Sequence, residues 1–285
     1  MSQAVTPIAR ESLVEFRASR TTSERNLLAV RDVREGMRLW RLAWTLGWLD
    51  IRLRYRGSML GPFWLTLSTA IMVAALGYLY AVLFHQDIAD YLPFLALSQV
   101  LWGFLAALVS ESCTTFTEAE PVIRSVRMPY FLFATRTLVR NVLVLLHNVV
   151  VIVGVDIIFG VWPGANGLLA LPGLALWMVD ALALTMLLGG FCARFRDILP
   201  IVNSVMQIAF FVTPVIWKPS QLGPSGVAHL PFNPFFDMLE IVRAPLLGGQ
   251  ADHMVWVGAL AYSVALCGLS WGFFTRARPR IAYWL

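Results

Sequence analysis

The sequence has little charge, a single lysine and few cysteines. Charged residues fill 14% of the 285 positions, against about 25% in ordinary soluble domains, and segments with a long polar face are missing after Leu60. Together these exclude a large soluble protein with buried helices. The three cysteines, Cys113, Cys192 and Cys267, lie far apart with no Cys-x-x-Cys or Cys/His grouping, so nothing in them indicates a metal or redox centre. The one lysine, Lys218, is followed by proline. A phosphate-binding loop needs Gly-x-x-x-x-Gly-Lys-Ser/Thr, so that motif is excluded and any ATP-driven work requires another chain. The stretch after Met1 lacks the apolar run of a cleaved signal peptide.

What is abundant is hydrocarbon. Hydrophobic residues make up 58% of the chain and the mean hydropathy is +0.69. They come in blocks of about 20 residues, the length that crosses a hydrocarbon core of about 30 Å as a helix. The expected fold is an all-α polytopic membrane protein with six transmembrane helices. The spans fall at about 63–84, 91–110, 138–159, 168–191, 198–217 and 254–274. A polar cytoplasmic extension (1–35) and an interfacial amphipathic helix (36–56) precede a transmembrane domain (57–285). That domain carries a cytoplasmic loop at 111–130 and short external re-entrant or surface helices within 218–253, before the last span.

Charge orients the chain. With both termini inside, the inner segments hold 20 of the 22 basic residues, and only Lys218 and Arg243 fall outside. This follows the positive-inside rule and agrees with an even number of spans. Residues 1–62 hold 11 basic and 6 acidic residues. An arginine-rich surface beside anionic lipid accounts for them better than nucleic-acid binding does.

In the interfacial helix Leu39, Leu42, Leu46, Leu49 and Leu53 recur at three- and four-residue steps, with Arg38, Arg41 and Arg52 towards another face. Trp40, Trp44 and Trp48 form a second row suited to the headgroup layer. Arg52, Arg54 and Arg56 sit where this helix turns into the first span. Gly57 and Gly61 relax the backbone there, and Pro62 suits a first helical turn. The arginines can reach lipid phosphates or a cytoplasmic partner.

Four stretches carry a family resemblance: DIRLRYRGSMLGPFWLTLS (50–68), TEAEPVIRSVRMPYF (117–131), ARFRDILPIVNSVMQIAFFVTPVIW (193–217) and NPFFDMLEIVRAPLLG (233–248). The chain resembles the membrane-spanning subunit of ABC-2-type polysaccharide exporters, with wording closest to Gram-negative O-antigen permeases. The resemblance implies a homodimer in the bacterial inner membrane, two copies of a soluble ATP-binding subunit, and an undecaprenyl-diphosphate-linked polysaccharide as cargo. ATP and Mg would sit on the partner, with no cofactor on this chain and no covalent chemistry on the polymer. Export of capsular polysaccharide by the same mechanism is close behind. A secondary transporter is a further alternative, but it needs an internal repeat or a midplane ion cluster, and no convincing repeat is seen. A membrane transferase should show catalytic acids or histidines converging near one leaflet, and here they are scattered.

Candidate roles follow. The resemblance docks the 111–130 loop on the ATPase. Glu118, Glu120, Arg124 and Arg127 offer charge pairs there, with Arg52, Arg54 and Arg56 as a second contact. A sliding sugar polymer suits aromatic faces, which makes Phe63, Trp64, Tyr78, Tyr80, Phe210, Phe211 and Trp217 candidate path residues, joined by Asn203 and Gln207. Lipid gives polar groups no partners. Arg140, Asn141, His147, Asn148, Asp156, Asp180, Asn203, Ser204 and Gln207 are therefore expected to face the protein interior, with Arg140 also able to snorkel. Arg194 and Arg196 resemble a family site where a lipid pyrophosphate could meet guanidiniums. Glu240 and Arg243, three apart on an external helix, can pair and form a candidate external gate.

Overall fold

The computed structural model describes residues 21–285 apart from Pro62 and the side chain of Pro224. Most of the proposed extension and the role given to Pro62 therefore lie outside the described residues. Among the described residues the protein is all α-helical. Its helices are α1 (Thr22–Arg38), α2 (Trp40–Arg54), α3 (Phe63–Leu83), α4 (Ile88–Glu118), α5 (Glu120–Ser125), α6 (Tyr130–Phe159), α7 (Ala170–Arg194), α8 (Ile198–Val212), α9 (Gly223–Val227), α10 (Pro234–Leu246), α11 (His253–Ala277) and α12 (Ile281–Trp284), joined by turns and short 3₁₀ segments.

The expected polar extension already contains helix. Thr21 and Glu24 form a capping box, each accepting a hydrogen bond from the other's backbone N–H, and this starts α1. Ala29, Asp32 and Gly36 line its buried face. A Cβ at Gly36 would stand 2.8 Å from Phe131 Cβ, so the missing side chain allows α1 to rest on the start of α6. The chain kinks at Leu39 into α2. Ala43, Gly47 and Ile51 of α2 are buried, while the Trp40, Trp44 and Trp48 row and Leu39, Leu49 and Leu53 are exposed. Ala43, Gly47 and Ile51 thus attach α2 to α6, and most of its large apolar side chains point outward.

Among the described residues, five helical stretches are long and apolar enough to cross a membrane, against six expected spans. The remaining apolar helix, α8, has 15 residues, or about 22 Å, against about 30 Å of hydrocarbon. It stops because Thr213 precedes Pro214, and the proline ring disfavours helical backbone before it. Thr213 to Ile216 continue as buried, non-helical chain. Tyr91 donates its hydroxyl to Ile216 O at 2.5 Å, and Asn233 Nδ2 donates to Thr213 Oγ1 at 3.0 Å. Irregular backbone at membrane depth is tolerated only where protein satisfies it in this way.

The ends of α4, α7 and α11 that carry Glu118, Arg194 and Arg276 meet α1, α5, α12 and the start of α6, and form the basic end of the molecule. A core of Phe116, Phe133, Phe274, Ile281 and Leu285 fills it. At the far end α10 packs on α4, α7 and α11. Asn233 caps α10 by accepting from the N–H groups of Phe235 and Phe236, and Pro234 occupies its first position. Phe236 to Leu239 and Ile241 to Val242 are buried in α10, so this helix is sunk into the bundle. The larger core lies between α4, α7, α10 and α11, where Phe104 and Trp177 stack with centroids 5.6 Å apart.

Candidate coupling face and translocation surface

The site at the basic end is a lattice of charges between α2, α4 and α6. Helix α4 runs past its expected membrane boundary to Glu118, so Glu111, Thr114 and Glu118 project from successive helical turns. Arg136 and Arg140 stand one turn apart on α6, and Asp50 and Arg54 one turn apart on α2. Arg136 grips Asp50 with two hydrogen bonds, Nε to Oδ2 at 2.7 Å and Nη2 to Oδ1 at 2.6 Å. Arg140 Nε donates to Glu111 Oε2 at 2.8 Å, and its Nη1 lies 3.4 Å from Glu118 Oε2 and 3.5 Å from Asp50 Oδ2. Asn141 Nδ2 donates to Glu111 Oε2 at 2.7 Å, and Arg54 Nη2 donates to Glu111 Oε1 at 3.1 Å. Thr114 donates to Glu118 Oε1 at 2.7 Å.

Two of the proposed coupling residues, Arg54 and Glu118, are therefore held in this lattice. The others line its exposed rim. Arg52 and Arg56 are exposed, Glu120 and Arg124 pair along α5 at 3.0 Å, and Arg127 lies on the exposed stretch after α5. The sequence reading gave Asp50, Glu111 and Arg136 no role, although Asp50 opens the first family stretch and Arg136 stands one turn before Arg140. Arg140 does not snorkel: its side chain is 6% exposed and paired.

A second anchor sits close by. Asp32 of α1, 1% exposed, accepts from Phe131 N–H at 3.1 Å and from Arg278 Nε at 3.0 Å. Burial pushes its carboxyl above the usual range, against the opposing pull of these donors. Nearby Arg194 lies over the rings of Phe195 and Trp284, 5.7 and 5.8 Å from their centroids, while Arg196 is exposed.

The proposed path residues lie on α3 and α8, each packed against α4, except Trp217, which lies in the non-helical chain after α8. Phe63, Trp64, Tyr78 and Phe211 are exposed. Tyr80 stacks on Phe84 at 5.4 Å, Phe210 packs against Trp102 at 5.8 Å, and Trp217 donates Nε1 to Phe211 O at 3.1 Å. Met206 is the one buried residue of α8. The interior placement expected for Asn203, Ser204 and Gln207 is not found: all three are exposed on the single chain, and only Asn203 reaches another helix, accepting from Ser110 Oγ at 2.8 Å. The reason is that α8 is a peripheral helix packed along one line of residues. The polar groups of α3 and α6, by contrast, face each other. Thr66 donates to His147 O at 3.0 Å, Thr69 to Asn148 Oδ1 at 3.1 Å, and His147 Nδ1 lies 2.7 Å from Leu143 O.

The proposed gate pair is a buried staple. Arg243, 1% exposed, bonds Glu240 and the Pro214 carbonyl. It also donates to Ser98 Oγ at 3.0 Å, and its guanidinium lies 4.7 Å from the Phe94 ring centroid. One side chain thus ties α10 to α4 and to the chain after α8.

A helical bundle with five spanning stretches, a charged lattice at one end and a sunken short helix at the other is a multi-pass membrane protein. The chain belongs to the ABC-2 type transporter family, which it matches over residues 41–247. It is 24% identical to the O-antigen export system permease protein RfbA of Myxococcus xanthus, a match that covers 75% of this chain and 84% of the relative. A protein of the same name from Klebsiella pneumoniae is 20% identical over 72% of this chain and 79% of its own length. The chain is thus a transport permease.

Proposed function

We propose that this chain is the membrane subunit of an ATP-driven exporter that moves undecaprenyl-diphosphate-linked O-antigen polysaccharide across the bacterial inner membrane. Two copies pair, and two soluble ATP-binding subunits dock at the basic end, which faces the cytoplasm with both termini. ATP and Mg belong to those subunits. The names of the relatives support the cargo, and family membership supports the partner.

One observation carries the transport reading on this chain: α8 leaves Asn203, Ser204 and Gln207 uncovered on an otherwise apolar helix. Hydrocarbon gives such groups no hydrogen bonds, so they belong against a second copy or a polar conduit. The exposed aromatics Phe63, Trp64, Tyr78 and Phe211 would supply sliding contacts for sugar-ring faces, with the remaining candidate aromatics behind them. At the basic end, movement of the ATPase would press on α5 and the Arg52, Arg56 and Arg127 rim. The Asp50–Glu111–Arg136–Arg140 lattice would pass it to α2, α4 and α6 as one body. Arg194 and Arg196 would meet the lipid pyrophosphate there.

The test is deletion of the chain in its host, with wild type and Asn203→Leu/Gln207→Leu returned separately. The reading expects surface polysaccharide to vanish on deletion, to return with wild type, and to stay low with the double variant at equal membrane abundance. Unchanged polysaccharide on deletion would overturn it.

A further inference from the structure

At the far end a cavity carrying a Lys–Asp pair and an apolar groove flank the first two turns of α4. The cavity, about 370 Å³, is lined by Asp90, Pro93, Phe94, Val161, Lys218 and Ser220 among others. The groove, about 530 Å³, lies between α3, α4 and α6 and includes Thr66, Ala70, Ile88, Leu92, Gly154 and Ile158. Ile88 and Leu92 line the groove, while their neighbours Ala89 and Pro93 line the cavity, so the two spaces lie on neighbouring faces of the same two turns.

The groove wall is hydrocarbon, because the Thr66 hydroxyl is turned to His147 O. Along α3 it runs from Phe63 to Ala74, or about 17 Å, close to the length of one acyl chain. A Cβ built at Gly154 meets nothing within 4 Å, so the floor of the groove is open. In a bilayer such a groove fills with hydrocarbon rather than water.

The cavity carries one charge of each sign. Lys218 Nζ donates to Asp90 Oδ2 at 2.6 Å and to Asp90 O at 3.3 Å, and lies 5.6 Å from the Phe94 ring centroid. An ammonium has three donors, so one remains for a ligand. The Asp90 side chain is 77% exposed, so its carboxylate is within reach of an incoming cation. Trp162, 78% exposed at the same end, marks headgroup depth.

We propose that this composite site holds one zwitterionic membrane phospholipid, with its phosphate on Lys218, its primary amine on Asp90 and one acyl chain in the α3/α6 groove. A headgroup with phosphate and amine complements the Lys–Asp pair at both ends. A purely anionic headgroup would set its charge beside the Asp90 carboxylate. The site requires only that the chain span a membrane, and it shares Phe63 with the proposed polymer surface.

The experiment is native mass spectrometry of the purified full chain, with whatever subunits stay bound, after delipidation. Dioleoyl phosphatidylethanolamine or dioleoyl phosphatidylglycerol is then added back. The expected result is one ethanolamine lipid per chain, retained about tenfold over the glycerol lipid, as a charge-assisted bond implies. Asp90→Asn, a change at an exposed carboxylate, should erase that preference. Gly154→Leu, which fills the open groove floor, should abolish retention of both lipids. Equal retention of the two lipids by wild type overturns the headgroup assignment, and undiminished retention in Gly154→Leu overturns the groove. An isoprenoid diphosphate held there instead would assign the site to cargo. Crosslinks between copies at groove positions would assign it to a second chain. Either result overturns the proposal.

Discussion

Arg140 on α6 donates from Nε to Glu111 Oε2 on α4 across 2.8 Å, inside a helical bundle where the arginine is 6% exposed. The pair is the centre of the charge lattice, and removing one member leaves the other with its remaining lattice partners, Arg54 and Asn141 for Glu111 and Glu118 and Asp50 for Arg140. Glu111→Gln or Arg140→Met should each cost about 1.5–3 kcal/mol of stability, the worth of a hydrogen bond to a charged group. The double variant should recover part of that loss. Thermal unfolding of the detergent-purified variants measures it, and additive losses would contradict mutual compensation.

Arg243 joins α10 to α4 and to the non-helical chain after α8 through Glu240, Ser98 and Pro214 O. Arg243→Lys keeps the charge but not the planar fork, so it should behave nearly as badly as Arg243→Met. Limited proteolysis of the segment from Lys218 to Asp252 reports the outcome. Resistance equal to wild type in the lysine variant would show that charge alone suffices.

Gly47 lets α2 touch α6, because a Cβ there would lie 2.9 Å from Val139 Cγ1 and 3.1 Å from Arg136 O. Backbone cannot yield as a flexible side chain does, so Gly47→Val should cost about 1–3 kcal/mol. Gly57, where a Cβ would meet nothing within 4 Å, has a φ of +85°. Gly57→Ala should therefore be limited by backbone strain alone. Melting curves of the two variants separate clash from strain.

Asp32 is buried, and its carboxyl holds a proton more tightly in the folded chain than in the unfolded one. Stability therefore falls as pH rises from the ordinary carboxylate range through the raised folded value. Asp32→Asn retains an acceptor for Phe131 N–H and loses this slope. The variant should match or exceed wild type at neutral pH and lose its advantage in acid. Unfolding midpoints at several pH values test it, and a wild type that gains stability as pH rises through that window would reverse the sign.

The spans were legible because hydrocarbon thickness imposes a length that composition alone reveals. The tryptophan row of α2 was legible because its four-residue spacing is local. The end of α8 was within reach through Thr213 and Pro214, but the apolar residues that follow suggested a longer helix. The charge lattice was not legible: Asp50 and Arg136 are 86 positions apart, and nothing in the spacing of either names the other. The depth of α10 was left open for a related reason. The sequence leaves re-entrant and surface helices open there, and only the tertiary fold supplies the Ser98 and Pro214 acceptors that permit Arg243 to be buried. The polar residues of α8 mark the opposite case, being read as interior although the single chain leaves them outside.

The most direct measurement is purification of the chain from its host membrane in mild detergent, with mass spectrometry of everything that remains bound. The export account predicts two copies of this chain with two copies of a soluble ATP-binding subunit. That subunit should be lost when the exposed rim of Arg52, Arg56, Glu120, Arg124 and Arg127 is neutralised. A folded chain repeatedly recovered without any ATP-binding subunit would contradict the account.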